Sequence, residues 1–351
     1  MHLKKHGWEE IAGLHLMVGF QGVTVEEELK SLIRDFKIGG IVLFRRNIEG
    51  AEQLRSLLEE AQAFSLNTLG RSLLVSVDQE GGPVQRLVVE PFTQLPSARE
   101  LMLQGPEAIA HWTKRAANEL RELGIHINLA PVLDVFSGCP THFMEERCLG
   151  ADPRQVAQLG QIWIRTLQDH GVSATAKHYP GLGQAESDPH HFAPVIRWKN
   201  DAAMEEDLFP FREAIAGGVH CMMTSHALYP HWDPQWPATL SPRVNCEWLR
   251  RKLGFEGVLL SDDMDMAAVS GRYTWEEMAV QGLTSSIDFF LLCQQSGNIG
   301  PFHEALSRSI ESQGALQGLH EKSLVRIRRL FNRHPGLRFV RRSHCSKHGE
   351  L

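Results

Sequence analysis

The stretch Leu73-Leu74-Val75-Ser76-Val77-Asp78-Gln79-Glu80-Gly81-Gly82 changes character at one point. A short apolar run, partly β-branched, gives way to carboxylates and paired glycines. This is the pattern of a buried parallel strand that delivers polar side chains at its C-terminal end. The same change recurs along the chain. Runs at 12–20, 40–44, 73–78, 126–132, 173–178, 221–226, 257–262 and 289–293 read as strands. Amphipathic stretches at 25–36, 52–64, 107–123, 153–170, 201–216, 246–252 and 274–284 read as the helices between them. Near-continuous apolar strands alternating with helices predict a parallel sheet covered on both faces, and eight such units predict an α/β fold of the single (β/α)8 TIM-type barrel kind. A doubly wound open sheet is the alternative. It would need a phosphate-binding glycine pattern after an early strand, and Val18-Gly19-Phe20-Gln21-Gly22-Val23 is not GxGxxG.

Length and charge narrow the function classes. At 351 residues, 42% of them hydrophobic and 22% charged, the chain has the make-up of a soluble globular protein of one large barrel or about two domains. No linker-like tract marks a second domain. The barrel domain is expected over 1–335, closed by a last helix at 319–332, with 336–351 as a basic, disordered tail. The 36 Lys and Arg against 42 Asp and Glu give a net charge of −6, which offers no basic field for nucleic acid and disfavours anionic membrane surfaces. Lys4 and Lys5 are followed by Glu9 and Glu10 where the apolar core of a secretory signal would begin, so no signal peptide is expected. No uninterrupted apolar run of about 18 residues exists, so no transmembrane helix is expected. The six cysteines are scattered without a CxxC pair, which reads as reduced thiols in a cytoplasmic protein.

In a barrel the active site gathers at the C-terminal strand ends. The polar residues expected there are Asp78 to Arg86, Asp134 with Arg147, Lys177-His178, Asp188 with His190 and His191, His226, and Asp262-Asp263-Met264-Asp265. Two reaction classes fit. One is glycoside hydrolysis, with a carboxylate attacking an anomeric carbon and a second group moving the proton. The other is metal-assisted hydrolysis, with His178, His190, His191, His226 and an aspartate around an activated water. A lone Asp or His at a strand end is more often a cap or a turn former. Periodicity does not choose among Asp78, Asp134, Asp188, Asp262, Asp263 and Asp265.

The motifs themselves are more specific. Val77-Asp78-Gln79-Glu80-Gly81-Gly82-x-Val84-Gln85-Arg86, Asn128-Leu-Ala130-Pro131-Val132-Leu133-Asp134-Val135, Lys177-His178-x-Pro180-Gly181-x-Gly183, Asp188-x-His190 and Gly257-x-x-x-Ser261-Asp262-Asp263-Met264 occur in that order. Together they resemble glycoside hydrolase family 3, in its single-domain bacterial β-N-acetylglucosaminidase branch, over about residues 11–332. The resemblance implies that Asp262 is the nucleophile of a retaining enzyme, that His190 is the general acid/base and that Asp188 pairs with it. It also implies that Asp78, Arg86, Arg147, Lys177 and His178 bind the sugar. It further implies a cytoplasmic monomer acting on small carbohydrate substrates, N-acetylglucosaminides and muropeptides, with no cofactor, metal, nucleic acid or membrane partner. A family 3 β-glucosidase or β-xylosidase is the alternative within the fold.

Those roles are chemically coherent. Most glycosidases use a second carboxylic acid as proton donor, but a histidine titrating near neutrality can donate to the leaving oxygen and then accept from water. Two-domain relatives take that acid from a second domain, and a barrel alone has to supply it from its own loop. Gly181 and Gly183 are expected as hinges of that loop. The chain departs from the pattern at Pro189, between Asp188 and His190, at Cys148-Leu149 after Arg147, and at Ser286-Ile287-Asp288 before the last strand.

Overall fold

The computed structural model describes residues 6–136, 138, 143–185 and 194–339. Eight parallel strands close into a barrel: β1 (Leu16–Val18), β2 (Gly40–Leu43), β3 (Leu74–Val77), β4 (Ile127–Asn128), β5 (Ser173–Tyr179), β6 (Cys221–Thr224), β7 (Val258–Asp263) and β8 (Phe289–Leu292). The ring closes because β1 pairs on both sides, Met17 lying opposite Gly40 of β2 and Leu16 opposite Phe290 of β8.

Side chains alternate across each strand. Met17, Val42, Leu74, Met223, Leu260 and Leu291 form the inner cluster, whereas Leu16, Ile41, Val75, Met222, Leu259 and Phe290 pack outward with the helices. Both faces are dry, which is why the strands read as continuous apolar runs. Residues of the last helix, Ile327, Leu330 and Phe331, join the inner cluster and plug the N-terminal end of the barrel.

Three expectations are corrected. The run at 12–20 is divided: Ala12, Gly13 and Leu14 end the helix His6–Leu14, and only Leu16–Val18 is strand. An apolar run of this length cannot separate a buried helix end from a strand. The helix instead packs on Ser296–Ser312, where the His303 ring nitrogen Nε2 donates to the Glu9 carbonyl at 2.9 Å. The tail boundary at 336 is also too early. Ser72 N donates to Arg338 O at 2.8 Å, Arg338 N donates to Ser72 Oγ at 3.0 Å, and the Phe339 ring lies 5.0 Å from Phe331. The chain is therefore fixed to the barrel base as far as Phe339. Thirdly, Gly181 and Gly183 are buried contact positions rather than free hinges. A Cβ on Gly181 would stand 2.9 Å from the Asp207 Cβ, and one on Gly183 would strike the Val135 carbonyl.

The base also holds a buried ionic hub. Asp288, fully buried just before β8, accepts from Arg326, Arg250, the Ser323 hydroxyl and Leu259 N. Burial would raise its carboxyl, but Arg326 and Arg250 outweigh that and hold it low. Among the described residues, no helix is long and apolar enough to cross a membrane.

Candidate active site

The polar rim forms where the strands run out. After β3 the chain turns through a small hairpin, Gln79–Gly81 against Val84–Gln85, whose register is set by the Gln79 side chain accepting from Arg86 N and Leu87 N. Gly81 and Gly82 carry φ of 95° and 52°, the left-handed region where a Cβ is disfavoured. The hairpin brings Asp78, Glu80 and Arg86 together at the mouth.

Lys177, near the end of β5, ties this group to the strand two places round the barrel. Its Nζ lies 2.9 Å from Asp78 Oδ1 and 2.5 Å from Glu80 Oε1. Arg147 grips Glu80 with both prongs, Nε to Oε2 and Nη2 to Oε1, each at 2.9 Å. Arg86 Nη2 reaches Asp78 Oδ2 at 3.2 Å. Burial alone would raise the carboxyls, but Lys177 and Arg86 hold Asp78 low, while Arg147 and Lys177 hold Glu80 far below the usual carboxylate range. Three cations face two anions, leaving one net positive charge. Arg86 Nε is buried without an acceptor among the described residues, so the group retains a donor for a hydroxyl-rich ligand.

His178 is positioned by Asp134, which is fully buried at the exit of β4. The His178 Nδ1–H donates to Asp134 Oδ2 at 2.7 Å, while Leu182 N donates to Oδ1 at 2.6 Å. A carboxylate only accepts, so this bond fixes the proton on Nδ1. After the neighbouring strand β6, His226 is held at both nitrogens, by Thr239 Oγ1 at 2.8 Å and by the Asp263 carbonyl at 3.0 Å.

The run Asp262-Asp263-Met264-Asp265 divides by its bonds. Asp265 is committed to structure, accepting from Gln294 N, Gln295 N and Asn298 Nδ2. Asp263 Oδ1 accepts from Asp265 N and Cys293 N, and burial with the Asp265 charge pushes its carboxyl up to about 7. Asp262, by contrast, accepts one hydrogen bond among the described residues, from Asp263 N at 2.8 Å. Burial would raise it too, but His178, His226, that N–H and Lys177 outweigh burial and keep it low. Asp262 is thus the member of the run that is ionised at neutral pH and uncommitted to the scaffold.

Residues 9–330 match the glycosyl hydrolase family 3 N terminal domain. The chain belongs to that family. A β-hexosaminidase of Alkalilimnicola ehrlichii is 33% identical over 355 residues, covering 96% of this chain and 98% of that protein. A solved family 3 β-N-acetylglucosaminidase from Paenibacillus sp. str. FPU-7 superposes with a TM-score of 0.88 at 33% identity, over 98% of this chain and 65% of its own length. A β-N-acetylhexosaminidase from Beutenbergia cavernae DSM 12333 gives 0.86 at 26% identity, over 92% and 97%. The family 3 chain described here is a glycoside hydrolase and groups with the β-N-acetylhexosaminidases.

Of the residues singled out in the sequence, Asp78, Arg86, Arg147 and Lys177 form one bonded group at the rim. His178 and Asp262 are coupled to each other electrostatically. Asp188, His190 and His191 lie outside the described residues. Glu80 and Asp134 stood in the motifs without an assigned role and His226 had one only in the metal reading, and their bonds give each a structural one. Among the described residues, no group of three or more His, Cys, Asp or Glu is arranged to hold a metal ion.

Proposed function

We propose that the chain is a retaining, exo-acting β-N-acetylglucosaminidase that removes terminal β-linked N-acetylglucosamine from muropeptide fragments whose next sugar is an anhydro-muramic acid. The observation that carries this reading is the state of Asp262, a low-pKa carboxylate at the end of β7 with little structural duty. In the first step its oxygen bonds to the anomeric carbon as the glycosidic bond breaks, and the leaving oxygen takes a proton from His190. In the second, water gives its proton to His190 and bonds to the same carbon, releasing Asp262. Asp188 orients His190. Asp78, Arg86, Arg147, Lys177 and His178 hold the sugar, with Glu80 and Asp134 fixing those holders. The same reading makes the enzyme a cytoplasmic monomer of cell-wall recycling that works without a cofactor.

The test is a panel of matched aryl β-glycosides of N-acetylglucosamine, glucose and xylose, together with a GlcNAc-anhydro-muramic disaccharide. The reading predicts turnover of the N-acetyl sugar and of the disaccharide. Preference for glucose or xylose would replace it with the glucosidase or xylosidase reading. Loss of activity on chelation would favour a metal-dependent hydrolase.

A further inference from the structure

Asp207 sits in the helix Asp201–Ala216 with no ion pair among the described residues, and its residue is 2% exposed. Two donors converge on one of its oxygens. Trp198 Nε1–H donates to Oδ2 at 2.7 Å and Gln184 Nε2–H donates to the same atom at 3.1 Å. These donors stand on either side of the segment that carries Asp188 and His190 in the sequence. We propose that Asp207 is a positioning residue that clasps the two stems of this segment and so sets where the acid/base histidine stands. The proposal rests on the acid/base reading of His190.

The surroundings make the clasp specific. On the outgoing stem, Leu182 N is held by Asp134, Gly181 packs directly on the Asp207 side chain, and the Gly181 carbonyl accepts from the Tyr229 hydroxyl at 2.8 Å. The returning stem is fixed to the chain after β6, with Ile196 N donating to Leu228 O at 2.9 Å and Leu228 N to Pro194 O at 2.8 Å. The Trp198 ring, at the end of that stem, packs against Tyr229 and Trp232 at 5.2 and 4.9 Å. Each stem therefore has its own anchor, and the Asp207 oxygen joins them.

A buried carboxylate facing neutral donors is a costly way to fill space, because ionising it there is penalised. Burial pushes the Asp207 carboxyl up to about 7, with Asp134 and Glu206 adding to the rise and the Trp198 and Gln184 bonds opposing it. An apolar residue would pack the helix at less expense. What the carboxyl adds is one oxygen that accepts from two donors at once.

The test compares Asp207→Ala, Asp207→Asn and Trp198→Phe, which keeps one aromatic ring and loses the donor. kcat/KM reports the first chemical step, and a 2,4-dinitrophenolate leaving group needs little protonation while a sugar alkoxide needs much. The proposal expects Asp207→Ala to lower kcat/KM by about 10- to 100-fold on a disaccharide, the scale of a 1 Å misplacement, with dinitrophenyl N-acetyl-β-glucosaminide nearly unaffected. Trp198→Phe should shift in the same direction by less. In the His190→Ala background, Asp207→Ala should add no further loss, because both act through one group. Equal losses on both aglycones, or full additivity with His190→Ala, would overturn the positioning role and leave Asp207 as scaffold. If His190→Ala itself loses both aglycones equally, the acid/base reading falls and the clasp with it. Aglycone-selective loss in His190→Ala alone removes only the clasp.

Discussion

Lys177 Nζ and Glu80 Oε1 stand 2.5 Å apart, with each side chain 3% exposed. The contact joins the end of β5 to the hairpin after β3 and makes this side of the rim one electrostatic unit. Removing the cation leaves Glu80 and Asp78 as buried carboxylates short of a partner. Lys177→Met is expected to destabilise the protein by about 3–5 kcal/mol, the range for breaking a buried ion pair from one side. Denaturant unfolding measures this, and a change below about 1 kcal/mol would show that the network is solvent-screened.

Asp262, at the end of β7, and Asp265, just beyond it, predict opposite phenotypes. Asp265→Ala strips the acceptor from Gln294 N, Gln295 N and Asn298 Nδ2, so it should cost about 1–3 kcal/mol for orphaned donors. The folded fraction should keep its turnover. Asp262→Ala should leave the thermal midpoint nearly unchanged and abolish turnover. Scanning calorimetry beside steady-state rates separates the two, and an inactive but fully stable Asp265→Ala would contradict the division of roles.

The base of the barrel predicts acid lability. His126 and His220 are pushed down to about 3 and His334 to about 4, burial being the largest cause in each. They are linked: Ser173 Oγ lies 3.0 Å from both His220 Nδ1 and His334 Nε2, and the His126 and His334 rings are 5.3 Å apart. Unfolded histidine titrates near 6.5, so below that pH the unfolded chain binds protons that the folded one refuses. The contribution of these three histidines to stability is therefore full above about pH 6.5 and falls as pH drops toward 4. His126→Gln retains an acceptor for Val75 N, which His126 Nδ1 accepts from at 3.0 Å, and should flatten the decline of the thermal midpoint between those limits. An unchanged acid slope would count against this origin.

Much of this was legible in the sequence, and the misses have physical causes. Strand positions such as Leu74, Val258 and Phe289 are buried on both faces, which produces the uninterrupted apolar runs that mark a parallel barrel. Ala12 to Leu14 were misread because burial looks the same in a helix end. The helix Ser296–Ser312 contains Gly297, Gly300 and Pro301, which hide its periodicity. Ala98–Gln104 was overlooked although Ser97 and Glu100 form a capping box that the sequence displays. At the site, residue type and motif order pointed to Asp78, Arg86, Arg147, Lys177, His178 and Asp262. The support given by Glu80 and Asp134 was not readable, because a buried carboxylate acquires its role from partners distant in the chain. Asp207 gave no signal at all, since its donors come from two stems that only the fold brings together.

The central claim is that Asp262 forms the covalent bond to the sugar. Incubation with a slow fluorinated N-acetylglucosaminide, followed by proteolysis and mass mapping, tests it directly. The account predicts one added glycosyl group on the peptide containing Asp262, and none in Asp262→Ala. A label on Asp263, on Asp78 or on no residue while turnover proceeds would contradict it.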